Sequence, residues 1–338
     1  MKELKFICVQ PDDTYYTWQV HSWLESLRER GYSDKAIVIV FTPKFREFNT
    51  KWKKIEELYP EAKFEYIKDE HNISSQLGVY ISILRPYCLA RYWDMHPELE
   101  KDAIFYCDCD ILFTESFNID AYINDDVNYL SDTNSYINAS YFDGKINQVL
   151  PERLEEYKTI DVLNEITTKV GINREIAEKY NNHSGGAQYL LKNIDVSFWE
   201  KMVGDTLMIR KYLLATNRKY FKNENEGFQS WCADMWGLLW GLWARGVETK
   251  VIPEMEFSWA PDPLDKVNRL GIYHNAGITG ENIMGYPTFY KGKYHEGADP
   301  FEDASLQNIL NNETSMGKGT GYYLKHLLKI KEKYNLNY

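Results

Sequence analysis

The stretch Ala103-Ile104-Phe105-Tyr106-Cys107-Asp108-Cys109-Asp110-Ile111-Leu112-Phe113 joins two apolar runs through an acidic pair. Its first four residues have the length and apolar character of a buried strand. Residues i and i+2 of an extended segment point to the same side, so we expect Asp108 and Asp110 to face one side and the two cysteines the other. The stretch therefore predicts two carboxylates at the end of a buried strand.

Strands and helices alternate around this stretch in the first half of the chain. The apolar patterns predict strands over 6–9, 36–41, 64–67 and 103–106, and helices over 20–27, 46–58 and 86–95. Strands separated by helices of this length form βαβ units, with a mostly parallel sheet covered by helices on both faces. Ligands bind such α/β sheets at the carboxyl ends of the strands, where the acidic pair lies.

The second half of the chain is richer in helices. Helices are predicted over 154–172, 196–214, 231–243 and 321–333, with short strands over 187–191, 247–252 and 271–274. The helix over 231–243 is apolar nearly all round, which predicts burial. The segment 275–318 is rich in Gly, Asn and Pro and is predicted to form loops. We expect two halves, 1–130 and 131–338, within one continuous domain.

Composition limits the possible classes of function. The chain has 338 residues and a formal net charge of −11, which argues against a dedicated nucleic-acid-binding protein. Five cysteines without a Cys-x-x-Cys pair indicate a reduced, cytoplasmic protein. A viral protein that acts in the cytoplasm of its host would fit the same pattern. No apolar run approaches the ~18 residues of a membrane span, and we expect no membrane association. The 10 Trp and 26 Tyr suit the binding of flat, half-polar ligands.

The acidic pair predicts a metal site. Carboxylates as close as Asp108 and Asp110 repel each other unless a cation lies beside them. A divalent cation, Mn²⁺ or Mg²⁺, bound through oxygen ligands and completed by substrate phosphates, would be the natural occupant. The alternative is a solvated turn whose Asp residues cap a helix. The position after a buried strand favours the metal interpretation.

Several segments resemble a known family. The apolar strand, Asp-x-Asp and Ile-Leu-Phe of 103–113 resemble the metal-binding motif of nucleotide-sugar glycosyltransferases with the GT-A fold. Further segments match that layout in order: Asn-His-Ser-Gly-Gly-Ala-Gln at 182–188, Trp-Cys-Ala-Asp-Met at 231–235 and Tyr-His-Asn-Ala-Gly at 273–277. The opening Tyr-Tyr-Thr-Trp-Gln at 15–19 is similar to that of the peptidyl-serine and hydroxyproline glycosyltransferases. Together these segments span most of the chain.

The resemblance implies a Rossmann-like GT-A fold and metal-dependent sugar transfer from a nucleoside-diphosphate sugar, a UDP-sugar first, to a hydroxyl acceptor. It implies that Asp108 lies near the ribose and the metal and that Asp110 and His274 bind the metal. Gln188 would contact the sugar. Residues 1–130 would then bind the nucleotide sugar, and residues 131–338 the acceptor. From the residues alone, a single histidine beside apolar residues, such as His274, is also consistent with a structural role.

Asp234 is the candidate acid or base on the acceptor side. It follows Trp231 at the start of the apolar helix, where at least one flank of its carboxylate should be desolvated. Such a group could deprotonate the acceptor hydroxyl or hold the donor sugar. It could equally stabilise the first turn of the helix dipole.

Three residues near the first strand are candidates for binding the nucleotide. Val9, Gln10 and Tyr16 are predicted to follow that strand, where a base would dock. Stacking on tyrosine and simple packing both fit this position.

Two arginines and two glycines complete the candidate donor site. Arg85 and Arg91 flank Pro86 and could clamp a diphosphate or form surface salt bridges. Gly185 and Gly186 could let the backbone approach a ligand closely, or only form a tight turn.

Three hypotheses for the function stay open: two transferases that differ in their acceptor, and a protein that only binds carbohydrate. A glycan, a protein hydroxyl or a small molecule is the first. The second is a phage-type transferase that glycosylates hydroxymethylated DNA bases, which the basic and aromatic segment 44–54 allows and the net charge disfavours. The third is a carbohydrate-binding protein without catalytic activity, whose aromatic side chains stack on sugars.

Overall fold

The computed structural model describes residues 1–69 and 80–335. The β-strands of these residues are β1 (Leu4–Pro11), β2 (Ala36–Pro43), β3 (Lys63–Asp69), β4 (Ala103–Cys107), β5 (Ile111–Phe113), β6 (Asn128–Asp132), β7 (Gly185–Lys192), β8 (Thr249–Val251), β9 (Phe257–Trp259) and β10 (Ile272–His274). The α-helices are α1 (Thr14–Glu29), α2 (Thr50–Leu58), α3 (Leu84–Met95), α4 (Ala139–Gly144), α5 (Leu154–Tyr157), α6 (Val162–Val170), α7 (Arg174–Lys179), α8 (Val196–Tyr220), α9 (Ala233–Ala244), α10 (Leu264–Arg269), α11 (Gln307–Leu310), α12 (Glu313–Met316) and α13 (Gly319–Lys333).

The predicted α/β fold class with a mostly parallel sheet is confirmed. The larger sheet has the strand order β3-β2-β1-β4-β7-β6-β8, and a smaller sheet has the order β5-β10-β9. Strands β1, β2 and β3 pair in parallel, whereas β6 pairs antiparallel with β7 and parallel with β8. The second half of the chain is helix-rich, as predicted. The local sequence accounts for the parallel sheet, because strands buried on both faces are continuously apolar. Strand β2 reads Ala-Ile-Val-Ile-Val-Phe-Thr-Pro and is buried up to its final proline.

The chain forms two compact units of discontinuous segments. One consists of the described parts of Met1–Leu4, Glu70–Phe105 and Tyr122–Ile252, and the other of those of Lys5–Asp69, Tyr106–Ala121 and Pro253–Tyr338. We call them the helical unit and the metal-site unit. The predicted division into 1–130 and 131–338 stays a prediction.

In the helical unit, α9 packs closely on α8. Eleven consecutive residues of α9, beginning with Ala233, are buried, which fits its apolar sequence. A Cβ on Gly237 would lie 2.7 Å from Thr206 Oγ1 of α8, and one on Gly241 would lie 3.1 Å from the ring of Phe198. Glycine at both positions therefore lets the two helices approach each other.

Several predicted elements differ from the structure in their bounds. The helix predicted over 154–172 is broken into α5 and α6, because Asp161 caps a new helix by accepting a hydrogen bond of 3.0 Å from the Asn164 N–H. The helix predicted over 46–58 begins only at Thr50, because Asn49 caps it by accepting from the Lys51 N–H. The segment 275–318, predicted as loops, also contains α11 and α12.

The five cysteines are buried and form no disulfide. Among the helices of residues 1–69 and 80–335, none combines the length and the apolar character that crossing a membrane requires.

A buried polar cluster joins α1 to the end of α13 in the metal-site unit. The Glu25 carboxylate, 1 % exposed, accepts hydrogen bonds from Tyr59 Oη at 2.9 Å and from Tyr334 Oη and Lys333 Nζ, each at 2.6 Å. One turn earlier, the buried ring of His21 lies 5.0 Å from that of Tyr334, and within residues 1–69 and 80–335 its Nε2 has no hydrogen-bond partner. Burial lowers the pKa of His21 to about 3.

The lowered pKa of His21 predicts acid-sensitive stability. The folded state favours the neutral ring, so this contribution is complete above the unfolded-state pKa of about 6.5 and is lost as the pH falls from there towards 3. Replacing the imidazole by a phenyl ring removes this titration. We expect His21→Phe to reduce the loss of unfolding free energy between pH 6.5 and pH 4 by roughly 2 kcal/mol, measured by urea denaturation.

The matched control is His183→Phe, because His183 is exposed. It should keep the wild-type dependence on pH. Equal acid sensitivity of His21→Phe and wild type would contradict the assignment.

Candidate functional site

The acidic pair lies in the turn between β4 and β5, and both of these strands are buried. The extended conformation that the sequence predicted for Asp108–Asp110 is wrong, because the chain turns here to enter the second sheet. In that sheet β10 runs antiparallel to β5 with His274 opposite Ile111. The Asn275 N–H also donates to the Asp110 carbonyl at 2.8 Å. This register brings the end of β10 beside Asp110.

The three side chains that the resemblance assigns to a metal do lie together. One possible ligand atom from each of Asp108, Asp110 and His274 lies within 4.8 Å of the others. The distance from His274 Nε2 to Asp110 Oδ1 is 3.3 Å. Asp110 and His274 are buried, Asp108 is half-buried, and the imidazole stacks on the indole of Trp259. The site is therefore largely shielded from water, and the imidazole is held in a fixed orientation.

A lysine that the sequence analysis missed belongs to the same site. Lys291 Nζ donates to Asp110 Oδ2. Burial acts to raise the pKa of Asp110, but the Lys291 ammonium and the His274 ring together hold it well below its usual range. Burial acts to lower the pKa of Lys291, yet Asp110 raises it above the ordinary value. Nothing in the sequence marks Lys291, because it lies in a segment predicted as loops.

Aromatic residues at the start of α1 belong to the same unit as the acidic pair. Tyr15 is buried and its ring stacks on that of His295, with 3.8 Å between centroids. Tyr16 is half-buried and meets Tyr15 edge-on at 5.0 Å. Val9 and Gln10 lie inside β1 and not after it as predicted, because the pairing with β2 extends to Pro11. The nucleotide-binding roles of Val9, Gln10 and Tyr16 stay predictions.

Asp234 forms a second buried cluster, in the helical unit. Its carboxylate, in the first turn of α9, accepts from Arg85 Nη1 at 2.8 Å and from Tyr80 Oη at 3.1 Å. The Tyr80 hydroxyl also lies 2.9 Å from the carbonyl oxygen of Trp231 and accepts the Asp234 N–H. Arg85 is thus bound to Asp234, whereas Arg91 is exposed on α3. The predicted contacts of both arginines with a diphosphate stay predictions.

The segment 182–188, predicted to shape the sugar site, leads into β7, which starts at Gly185. A Cβ on Gly185 would clash with the Ser131 carbonyl oxygen of β6, and one on Gly186 with Met235 Cε of α9. Gln188 is fully buried and accepts a hydrogen bond of 2.6 Å from Ser131 Oγ. The close approach of the β6 backbone accounts for Gly185, and the ligand contacts of Gly185, Gly186 and Gln188 stay predictions.

Two further aromatic residues bear on the sequence hypotheses. Trp231, predicted inside a buried helix, is 59 % exposed, because α9 begins only at Ala233 and Trp231 lies in the 3₁₀ turn before it. In the basic segment 44–54, Trp52 is fully buried and donates its indole N–H to Asp12 at 2.8 Å. This indole is core packing, so it is not available to stack on DNA bases.

Comparison with known proteins finds distant structural likeness. No protein-family model and no curated protein matches the sequence. A galactosyltransferase LgtC structure with donor and acceptor sugar analogues aligns over 97 % of this chain and 95 % of its own, at 11 % identity and TM-score 0.45. The apo form of mouse xyloside xylosyltransferase 1 aligns over 81 % and 97 %, at 10 % identity and TM-score 0.36. The Mn/GDP form of core-mannan synthase A from Aspergillus fumigatus aligns over 97 % and 86 %, at 11 % identity and TM-score 0.34.

These solved structures are GT-A glycosyltransferases, the class that the sequence motifs resemble. The TM-scores are all below 0.5. The functional proposal therefore stands on the residues of the site.

The contacts of Asp234 predict a contribution to stability. Asp234→Asn removes the charge that pairs with Arg85 and weakens the acceptor facing Tyr80, so we expect the free energy of unfolding to fall by about 2 kcal/mol. Chemical denaturation of the purified protein measures this change. The control is Asp94→Asn, on the exposed face of α3, which should stay within ~0.5 kcal/mol of wild type. An equally small effect of Asp234→Asn would contradict a structural role.

The contact between Lys291 and Asp110 predicts competition with a metal ion. Lys291→Met removes an ammonium that a divalent cation would have to displace, so we expect Mn²⁺ to bind roughly ten-fold more tightly in isothermal titration calorimetry. The matched control is Lys293→Met, which removes a lysine of the same turn that pairs with Glu281 and Asp303 instead. Equal or weaker binding of Mn²⁺ by Lys291→Met would overturn the competition.

Proposed function

We propose that the protein is a metal-dependent glycosyltransferase that moves a sugar from a nucleoside-diphosphate sugar, with UDP-sugars as the first candidates, to a hydroxyl acceptor. The observation that carries the proposal is the convergence of Asp108, Asp110 and His274 in the turn after the buried strand β4. Carboxylates and one imidazole at the carboxyl end of a strand form a site for a cation that binds phosphate.

The chemistry of the donor set fits Mn²⁺ or Mg²⁺. Among the described residues, none donates a hydrogen bond to the buried Asp110 Oδ1, although His274 Nε2 lies 3.3 Å away. A buried carboxylate oxygen in this state is stabilised by a cation. Asp108, Asp110 and His274 would hold the ion. When bound, a divalent cation neutralises the charge that develops on the departing diphosphate.

The proposed reaction breaks the bond between the anomeric carbon and the diphosphate oxygen and forms a bond to the acceptor oxygen. The nucleoside diphosphate leaves, and the proton of the acceptor hydroxyl passes to the departing diphosphate or to water. Asp234 accepts hydrogen bonds from Arg85 Nη1 and Tyr80 Oη, one on each carboxylate oxygen. This pairing favours an orienting role for Asp234 over proton abstraction.

The remaining donor contacts keep their assignments from the sequence. Val9, Gln10 and Tyr16 would face the nucleotide, Arg91 the diphosphate, and Gln188, Gly185 and Gly186 would shape the sugar site. For Arg85 we propose that a contact with the diphosphate is added to its contact with Asp234.

The central test is donor turnover by a metal-site variant. We expect the wild type to release nucleoside diphosphate from one of a panel of UDP- and GDP-sugars in the presence of Mn²⁺. Asp110→Asn keeps the size of the side chain and removes its charge, so the stimulation by Mn²⁺ should fall at least ~100-fold. Quantification of released nucleotide by liquid chromatography measures the change.

Asp265→Asn, on an exposed position of α10 in the same unit, is the matched control and should behave as wild type. Undiminished stimulation of Asp110→Asn would refute the metal assignment. No turnover of any donor by the wild type, with saccharide binding retained, would favour a non-catalytic carbohydrate-binding protein.

A further inference from the structure

Trp231 differs from the other tryptophans of the chain in its exposure. Eight of the 10 tryptophans are buried, Trp259 is half-buried, and Trp231 is 59 % exposed. A large aromatic side chain in water forgoes the burial that stabilises the others. None of the roles assigned to the acidic pair or to Asp234 uses the indole.

The backbone that carries this indole is held in place. Trp231 lies in the 3₁₀ turn Ser230–Cys232, and its carbonyl oxygen lies 2.9 Å from Tyr80 Oη. The same hydroxyl binds the Asp234 carboxylate, three residues further on. Tyr80 is itself buried, with the Arg210 guanidinium over its ring at 4.6 Å. The exposed indole therefore projects from a turn fixed to the interior of the helical unit.

A second aromatic ring lies beside Trp231. The centroid of the Tyr136 ring is 6.4 Å from that of the indole, and the two planes meet at 34°. Tyr136 is half-buried, and its N–H donates to the Thr133 carbonyl oxygen at 3.1 Å, which closes a turn after β6. Two inclined rings with exposed surface form a shallow apolar platform, which we call the Trp231–Tyr136 platform. Both rings belong to the helical unit.

We propose that the Trp231–Tyr136 platform binds a pyranose ring of the acceptor. A pyranose presents a face of C–H groups that packs on an aromatic ring, while its equatorial hydroxyls stay in water, and an exposed indole matches both requirements. The inference rests on the proposed function and deepens it, since it identifies the acceptor as a glycan or glycoside. A uracil or guanine base could also stack on an indole, so nucleotide is the competing ligand in the test.

Direct binding is measured without turnover. The intrinsic fluorescence of the protein is titrated with lactose, maltose, cellobiose, xylobiose and UDP, for the wild type and for Trp231→Ala. We expect at least one saccharide to change the wild-type emission and the variant to lose that response. A response to UDP alone, or no response that depends on Trp231, overturns the proposal.

Kinetics then distinguish this site from the donor site. With a donor that the wild type turns over, we expect Trp231→Ala to raise the acceptor KM roughly ten-fold and to leave donor hydrolysis in water within about two-fold. Trp231→Phe keeps a ring and should recover part of the loss. Phe45→Ala is the control, because Phe45 is an exposed aromatic residue of the metal-site unit, 92 % accessible. An unchanged acceptor KM in Trp231→Ala overturns the platform.

The two proposals fail in distinguishable ways. If no donor is hydrolysed, the glycosyltransferase proposal fails, while the fluorescence titration still decides whether the platform binds sugar. If donor turnover is intact but Trp231→Ala affects neither KM nor fluorescence, only the platform fails. Equal melting temperatures of Trp231→Ala and wild type establish that the variant is folded.

Discussion

The buried carboxylate of Asp110 is the constraint on which the candidate site depends. Removing an ionised carboxylate from water costs several kcal/mol unless cations and hydrogen-bond donors surround it. The protein meets this requirement with the Lys291 ammonium and the His274 ring, one on each carboxylate oxygen. The β5–β10 ladder and the turn that carries Lys291 are therefore the elements that keep this charge inside the fold.

The helical unit stabilises a second buried carboxylate in a different way. Asp234 is bound by a guanidinium, a phenol and the first turn of α9, so its charge is compensated by protein groups alone. Asp110 instead faces a lysine on a long, flexible stem, and its Oδ1 has no hydrogen-bond donor in the part of the chain that the structure describes. This difference is why Asp110 suits a site that exchanges cations, whereas Asp234 suits a fixed structural or orienting position.

Most of the aromatic surplus is used in the interior. In the helical unit, Trp236 lies 4.8 Å from Trp240 and 5.0 Å from Phe142, and in the metal-site unit Tyr323 lies 5.6 Å from Tyr273. The abundance of Trp and Tyr, which composition alone associates with ligand binding, mainly reflects ring packing in the core. The exposed indole of Trp231 is informative because it departs from this pattern.

The sequence by itself determined the parallel α/β sheet and the position of Asp108 and Asp110 after a buried strand. Both follow from local patterns, since apolar runs specify strands and the acidic pair adjoins one directly. Only the tertiary structure decided which cations meet which carboxylates: Lys291 is 181 residues from Asp110, and Asp234 is 149 from Arg85. The exposure of Trp231 also depended on a helix start that periodicity places only to within a few residues. Charge partners and exposure are set by strand register and by the path of loops, and these depend on contacts distant in sequence.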